Sequence, residues 1–196
     1  MKSETIKSNK GNLISDLFLV SPKIFQDSRG HFYESWNKNL FNNAIGREIN
    51  FVQDNQSSSL KGVIRGLHYQ INPYPQGKLV KCIKGEIFDV AIDLRQSSKT
   101  FCEWAGVYLS EENKKQIWIP EGFAHGFLTI SSTADVLYKT NNFWNKDLER
   151  CIKWNDEKLG IKWPLNNINL PYPTISIKDE KGASLDEVIS NSEIFT

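Results

Sequence analysis

The sequence predicts an all-β fold, an antiparallel sandwich or barrel, and three observations carry that expectation. Strand-type stretches recur at short intervals between about residues 50 and 140, turn residues punctuate them, and no helical segment intervenes to carry a parallel crossover. In order, the stretches are 51–55, 63–69, 78–83, 86–94, 101–109, 116–120, 127–130 and 136–140. The clearest is 86–94: Phe88, Val90, Ile92 and Leu94 share one face, while Asp89, Ala91 and Asp93 share the other. Period two marks a strand, because successive side chains point to opposite faces. In 51–55 the same rule puts Phe51, Gln53 and Asn55 together. Lys84-Gly85, Gln96-Ser97-Ser98, Glu111-Glu112-Asn113, Pro120-Glu121-Gly122 and Ser131-Ser132 supply the turns. Helices are expected at 37–45 and in a tail at 185–194 only.

Composition narrows the function. The 196 residues are 39% hydrophobic and 24% charged, an ordinary globular mix, and no linker or repeat divides them, so 1–196 reads as one domain. Twenty-four Lys and Arg face 23 Asp and Glu, a net charge of +1. That balance argues against nucleic acid and against an anionic membrane surface, both of which select a basic surplus. No apolar run approaches the roughly 20 residues of a membrane span. The start, MKSETIKSNKGNL, has no apolar signal region, so a cytoplasmic location is expected. Cys82, Cys102 and Cys151 are too far apart for a CxxC redox or zinc motif and read as reduced thiols, buried as small hydrophobes. GxGxxG and P-loop patterns are absent, so nothing points to a nicotinamide or a triphosphate.

Two of the three histidines stand in informative places. His68 follows Arg65-Gly66-Leu67 at the end of a strand, and His125 sits in Pro120-Glu-Gly-Phe-Ala-His125-Gly, where a proline and two glycines suggest a tight turn. Taken alone, either ring could be purely structural. Pro-x-Gly-x-x-His resembles the second motif of the cupin superfamily, small jelly-roll β-barrels. Metal-binding cupins carry a first motif with His-x-His and a nearby Glu. Here that place reads His68-Tyr69-Gln70, with no Glu before Glu86. Iron or manganese would want about three protein ligands. The expectation is therefore no metal and no cofactor.

Longer stretches sharpen the match. Phe25-Gln-Asp-Ser-Arg29-Gly-His-Phe-Tyr-Glu34-Ser, Phe51-Val-Gln-Asp-Asn55, Arg65-Gly-Leu-His68-Tyr-Gln70 and Gln76-Gly-Lys78 come first. Gly85-Glu-Ile-Phe-Asp-Val-Ala-Ile-Asp-Leu-Arg95, Trp118-Ile-Pro-Glu-Gly-Phe-Ala-His125-Gly-Phe, Leu137-Tyr138-Lys-Thr and Gly160-Ile-Lys-Trp-Pro164 follow. In this order they resemble the dTDP-4-dehydrorhamnose 3,5-epimerases, cupin-fold enzymes that work without a metal, over about residues 15–180. The resemblance implies a cupin-type jelly-roll with a few short helices and inversion of C3 and C5 of a dTDP-linked 4-keto-6-deoxyhexose. A related keto-sugar epimerase working at one carbon, or a non-catalytic sugar-nucleotide binder, remains an alternative.

Such chemistry needs a base to remove a proton beside the ketone, a partner for the enolate oxygen, and an acid across the ring. Histidine suits the base, since its ordinary pKa of about 6.5 leaves it largely neutral near pH 7. By resemblance His68 is that base, Asp179 orients it, Tyr138 is the proton donor, and Lys78 holds the enolate oxygen. Arg29, Glu34, Gln53, Asn55, Arg65, His125, Glu149 and Lys178 match substrate contacts. Phe143 and Trp144 match an aromatic pair that stacks on the base or covers the sugar. The resemblance also implies a homodimer that exchanges amino-terminal strands. Arg65 and His68 differ by three, so a regular strand sends them to opposite faces; reaching one pocket requires a bulge, expected at Gly66. Two parts depart from the family pattern. Residues 1–14 extend beyond it as a floppy or partner-docked arm, and 165–173 is longer than expected before Lys178 and Asp179.

Overall fold

The computed structural model describes residues 1–196. Its strands are β1 (Lys2–Lys7), β2 (Leu13–Ser21), β3 (Ile24–Asp27), β4 (Gly30–Tyr33), β5 (Gln53–Leu60), β6 (Ile64–Gln70) and β7 (Lys78–Lys84). They continue with β8 (Glu86–Asp93), β9 (Trp104–Ser110), β10 (Gln116–Ile119), β11 (Phe123–Thr129), β12 (Thr133–Thr140) and β13 (Glu149–Cys151). Three short helices, α1 (Lys38–Ile45), α2 (Ile177–Glu180) and α3 (Leu185–Ser190), and one 3-10 turn (Leu165–Ile168) complete it. A six-stranded antiparallel sheet runs β1-β2-β10-β7-β12-β5, a five-stranded one runs β13-β6-β11-β8-β9, and β3-β4 form a separate hairpin. The fold is an all-β, cupin-like sandwich with two open sheets. No helix is long and apolar enough to cross a membrane.

Three apolar layers hold it. Val80, Ile117, Ile119 and Val136 of one sheet meet Ile87, Ala91, Leu109 and Phe127 of the other between the sheets. On the far side of the five-stranded sheet, Phe88, Val90, Ile92, Ala124 and Leu128 are covered by Ile152, Leu159, Ile168, Leu185, Val188 and Phe195 of the carboxy-terminal wrap. Outside the six-stranded sheet, Phe41 and Ile45 of α1 pack on Val20, Leu79 and Trp118. Each large side chain removed from water in this way contributes roughly 1.5–3 kcal/mol.

Helix ends follow capping rules. Asn37 caps α1, accepting from the Leu40 amide, and Ser184 with Glu187 forms a capping box that starts α3. The latter helix stops at Ser190, short of the expected 194.

Three expectations are corrected. The arm 1–14 is not floppy: β1 pairs antiparallel with β2, and beyond it Ser8 and Asn12 donate to the Glu103 carboxylate at 2.5 and 3.0 Å. A polar edge strand shows no apolar alternation, which is why the pattern hides it. His125 lies not in a turn but inside β11, because the Pro120–Gly122 turn feeds straight into a strand beginning at Phe123. The helix α2 was not anticipated; Ser176 caps it by accepting from the Asp179 amide at 3.1 Å.

Candidate active site

Register decides which side chains meet. On the six-stranded sheet Tyr138 pairs with Asn55 on one side and Val80 on the other, and Thr140 pairs with Gln53 and Lys78. Since Val80 faces the space between the sheets, Gln53, Asn55, Lys78 and Tyr138 face it too. In the opposite sheet His68 pairs with His125 on β11 and with Cys151 on β13, and Gln70 pairs with Glu149. These rows form a cavity, partly open to solvent, lined by Gln53, Asn55, His68, Tyr69, Gln70, Gln76, Lys78, Tyr138, Trp144 and Glu149. Its walls are mostly polar, as a sugar requires.

A bulge aims His68. Arg65 pairs with Phe127 and His68 with His125, so Gly66 and Leu67 together oppose Gly126 alone. Gly66 has φ +124, and a Cβ there would come within 2.6 Å of the Gly126 Cα and 2.7 Å of the His125 carbonyl, so glycine is required. The extra residue turns Arg65 toward the other sheet, where its Nε donates to Ser59 Oγ at 2.9 Å and its Nη2 to the Ser58 carbonyl at 3.1 Å. Arg65 thus spans the two sheets on the Ser59 end of β5 and does not line the cavity.

The electrostatics divide the labour. His68 Nε2 lies 2.6 Å from Asp179 Oδ1, and the Gly66 amide donates to Asp179 Oδ2 at 3.2 Å. Burial pushes the Asp179 carboxyl up, but the His68 ring and these hydrogen bonds outweigh it and hold Asp179 below the usual carboxylate range. Asp179 therefore accepts from Nε2–H, and Nδ1 makes no hydrogen bond within the protein. Burial, with the Glu149 charge, raises the Tyr138 phenol and keeps it protonated. Lys78 is buried, donates to the His68 carbonyl at 3.2 Å, and is brought down to about 8 chiefly by that burial. Glu149 pairs with Lys178 at 2.6 Å, which offsets its burial and leaves its carboxyl below the usual range.

His125 stands behind this wall. Its Nε2 lies 2.8 Å from Asp89 Oδ2, both residues are buried, and burial moves both toward neutrality, His125 down and Asp89 up. Asp89 was missed by the sequence reading. The available signal was a carboxylate in the middle of a strand with apolar neighbours on both sides, a position that needs a partner.

Gln70 and Gln76 were also missed. Gln70 accepts from the Asn145 amide at 2.8 Å and donates to the Phe143 and Tyr74 carbonyls; Gln76 donates to the Asn142 carbonyl at 2.8 Å. Gln53 accepts from the Trp144 amide at 3.0 Å while donating to Asn55 Oδ1 at 2.8 Å. These amides fasten the loop that carries Phe143 and Trp144. Trp144 lines the cavity, whereas Phe143 is exposed and does not. Arg29 and Glu34 lie elsewhere: Arg29 pairs with Asp27 at 2.7 Å at the tip of the β3-β4 hairpin, and Glu34 accepts from Asn37 at 2.9 Å beside α1.

The sequence and the fold are similar to those of known proteins. Residues 12–187 match the family model described as dTDP-4-dehydrorhamnose 3,5-epimerase. The epimerase of that name from Shigella flexneri is 56% identical over 169 residues, covering 86% of this chain and 91% of the relative. The crystal structure of dTDP-6-deoxy-D-glucose-3,5-epimerase from Legionella pneumophila in complex with dTDP-4-keto-L-rhamnose superposes with a TM-score of 0.88 at 42% identity, covering 98% and 97% of the two chains. The Mycobacterium tuberculosis epimerase superposes at 0.92 with 32% identity, covering 100% and 94%. With a histidine–carboxylate pair and a phenol lining one cavity, and these likenesses over nearly the whole length, the chain belongs to the dTDP-4-dehydrorhamnose 3,5-epimerase family.

Proposed function

We propose that this isomerase inverts C3 and C5 of dTDP-4-dehydro-6-deoxy-D-glucose by proton removal at His68 and return at Tyr138, giving dTDP-4-dehydro-L-rhamnose. One observation carries the reading: an imidazole fixed by a carboxylate at 2.6 Å and a protonated phenol line the same cavity from opposite sheets. The Asp179 carboxylate keeps the Nε2 proton in place, so the Nδ1 lone pair takes the hydrogen beside the ketone, and the same carboxylate stabilises the imidazolium that forms. The Lys78 ammonium meets the developing enolate oxygen, and Tyr138 delivers a proton to the other face of the ring. The Asp89–His125 pair fixes the floor beneath Lys78. Glu149 and Lys178 close the rim toward the nucleotide, with Trp144 as the stacking surface.

The test is an NMR time course with purified keto-sugar in deuterated water. Deuterium entering at both C3 and C5 is expected; entry at one carbon would reassign the enzyme to single inversion, and none at all would reduce it to a binder. Tyr138→Phe is expected to keep exchange at C3 and C5 while product formation drops roughly 10²-fold or more, in line with the loss of a general acid. Unchanged product formation would move that role to another group.

The active unit in this reading is a homodimer. The β3-β4 hairpin exposes Phe25 and Phe32, whose rings lie 6.5 Å apart, next to Arg29. An apolar pair with a guanidinium beside it fits a second copy of the chain, whose cavity would receive Arg29 as a diphosphate partner. Light scattering is expected to give twice the chain mass, and Arg29→Ala to raise KM with little change in kcat. A monomer with full activity would refute it.

A further inference from the structure

The strand register that brings His68 to the cavity also places Cys151 directly opposite it on β13. Cys151 Sγ lies 3.8 Å from Asp179 Oδ1, the same oxygen that stands 2.6 Å from His68 Nε2, and the three donor atoms are all within 4.8 Å of one another. The mechanism above makes no use of this thiol.

We propose that His68, Cys151 and Asp179 form an inhibitory zinc site, so that zinc shuts the enzyme off by capturing its base. This rests on the reading of His68 as the base. The donor set is one that zinc favours, with imidazole nitrogen, thiolate and carboxylate oxygen, and three protein ligands plus a water complete a tetrahedron. Bond lengths of about 2.0–2.3 Å put tetrahedral ligands roughly 3.3–3.8 Å apart, so the cluster accepts the ion by opening the His68–Asp179 contact by less than about 1 Å. Charge also balances. Thiolate and carboxylate offset the two positive charges, and the nearest ammonium on α2, Lys178, is engaged by Glu149 instead.

Proton bookkeeping explains the inhibition. A neutral imidazole carries one proton. In the working enzyme it sits on Nε2, directed at Asp179, and Nδ1 is the base. Zinc on Nε2 moves that proton to Nδ1, while the Cys151 thiol loses its proton to solvent, one released per zinc bound. The ring is then held with no free lone pair facing the sugar. Magnesium and calcium, which prefer oxygen ligands, should not do this.

The experiment uses the full chain after chelator treatment. Cobalt(II) added as a spectroscopic substitute for zinc is expected to produce thiolate-to-cobalt charge-transfer absorption in the wild type and in Cys102→Ala, and none in Cys151→Ala. Zinc is expected to inhibit wild-type turnover reversibly, with EDTA restoring it. In Cys151→Ala, uninhibited turnover should stay within about twofold, and the half-inhibiting zinc concentration should rise at least about tenfold, since even outer-shell changes cost 10–100-fold in metal affinity. Should that variant fold poorly, zinc protection of wild-type Cys151 from maleimide alkylation, read by peptide mass, gives the same answer. Absence of the cobalt band, or equal zinc sensitivity in Cys151→Ala, overturns the site. A Cys151-dependent band with turnover untouched by zinc overturns the inhibition and, separately, the role of His68.

Discussion

His68→Ala is expected to lower turnover by at least about 10³-fold while leaving binding of the dTDP-sugar nearly unchanged. The magnitude follows from what a positioned base contributes, typically 10²–10⁴-fold. Alanine removes the group that accepts the proton and also leaves Asp179 without its hydrogen-bonded partner, so no neighbour can take over: Cys151 is pushed up to about 12 by burial and the adjacent Asp179 charge, and is a thiol, not a base, at neutral pH. Binding should survive, because the rim groups Glu149, Lys178 and Trp144 do not depend on the ring. Solvent deuterium exchange at C3 and C5, followed in parallel with calorimetric binding, separates the two effects. Loss of binding together with exchange would make His68 a substrate contact.

Lys78→Met is expected to lower kcat by roughly 10²–10³-fold, the usual cost of removing one donor to a developing oxyanion, with a smaller change in KM because the charge it meets exists mainly in the transition state. The wild type should also show an alkaline limb. Lys78 faces Glu149 on β13 and Asp89 on β8, which favour its charge, and Lys178 on α2, which opposes it, while the His125 ring on β11 is held toward neutrality by burial; burial dominates and leaves the Lys78 pKa at about 8. Its ammonium is therefore present below that value and lost as pH rises through it, so kcat falls across about pH 8. The Tyr138 phenol, raised above its ordinary value, titrates higher and does not produce this limb. Lys78→Met should lose the limb along with the rate. A profile flat from pH 7 to 9 in the wild type would assign the enolate oxygen to another donor.

Much of the architecture was legible in local pattern, and the exceptions have physical causes. The strands around Lys78, Glu86 and Thr133 were legible because each carries apolar residues that pack into the layers described above. The edge strand β1 does not alternate, having solvent on most of its surface, and so it read as a loose arm. The bulge at Gly66 was anticipated because two candidate side chains three residues apart cannot share one face of a regular strand, and a glycine stood between them. Asp89 was passed over because period two groups residues by face without saying which face lies inside. In β8 the apolar row Phe88, Val90 and Ile92 turns to the carboxy-terminal wrap, while Asp89 and Ala91 enter the space between the sheets.

By itself the sequence determined the class of fold, the succession of strands between about residues 50 and 140, and the residue types that proton transfer beside a ketone would need. The tertiary structure alone decided that His68, Cys151 and Asp179 touch, that His125 leans on a buried Asp89, and that Arg65 reaches across to β5 rather than into the cavity. Those contacts join strands and a short helix far apart along the chain. Local spacing tells which residues of one strand share a face, but which distant segment lies opposite them is settled only when whole layers pack together.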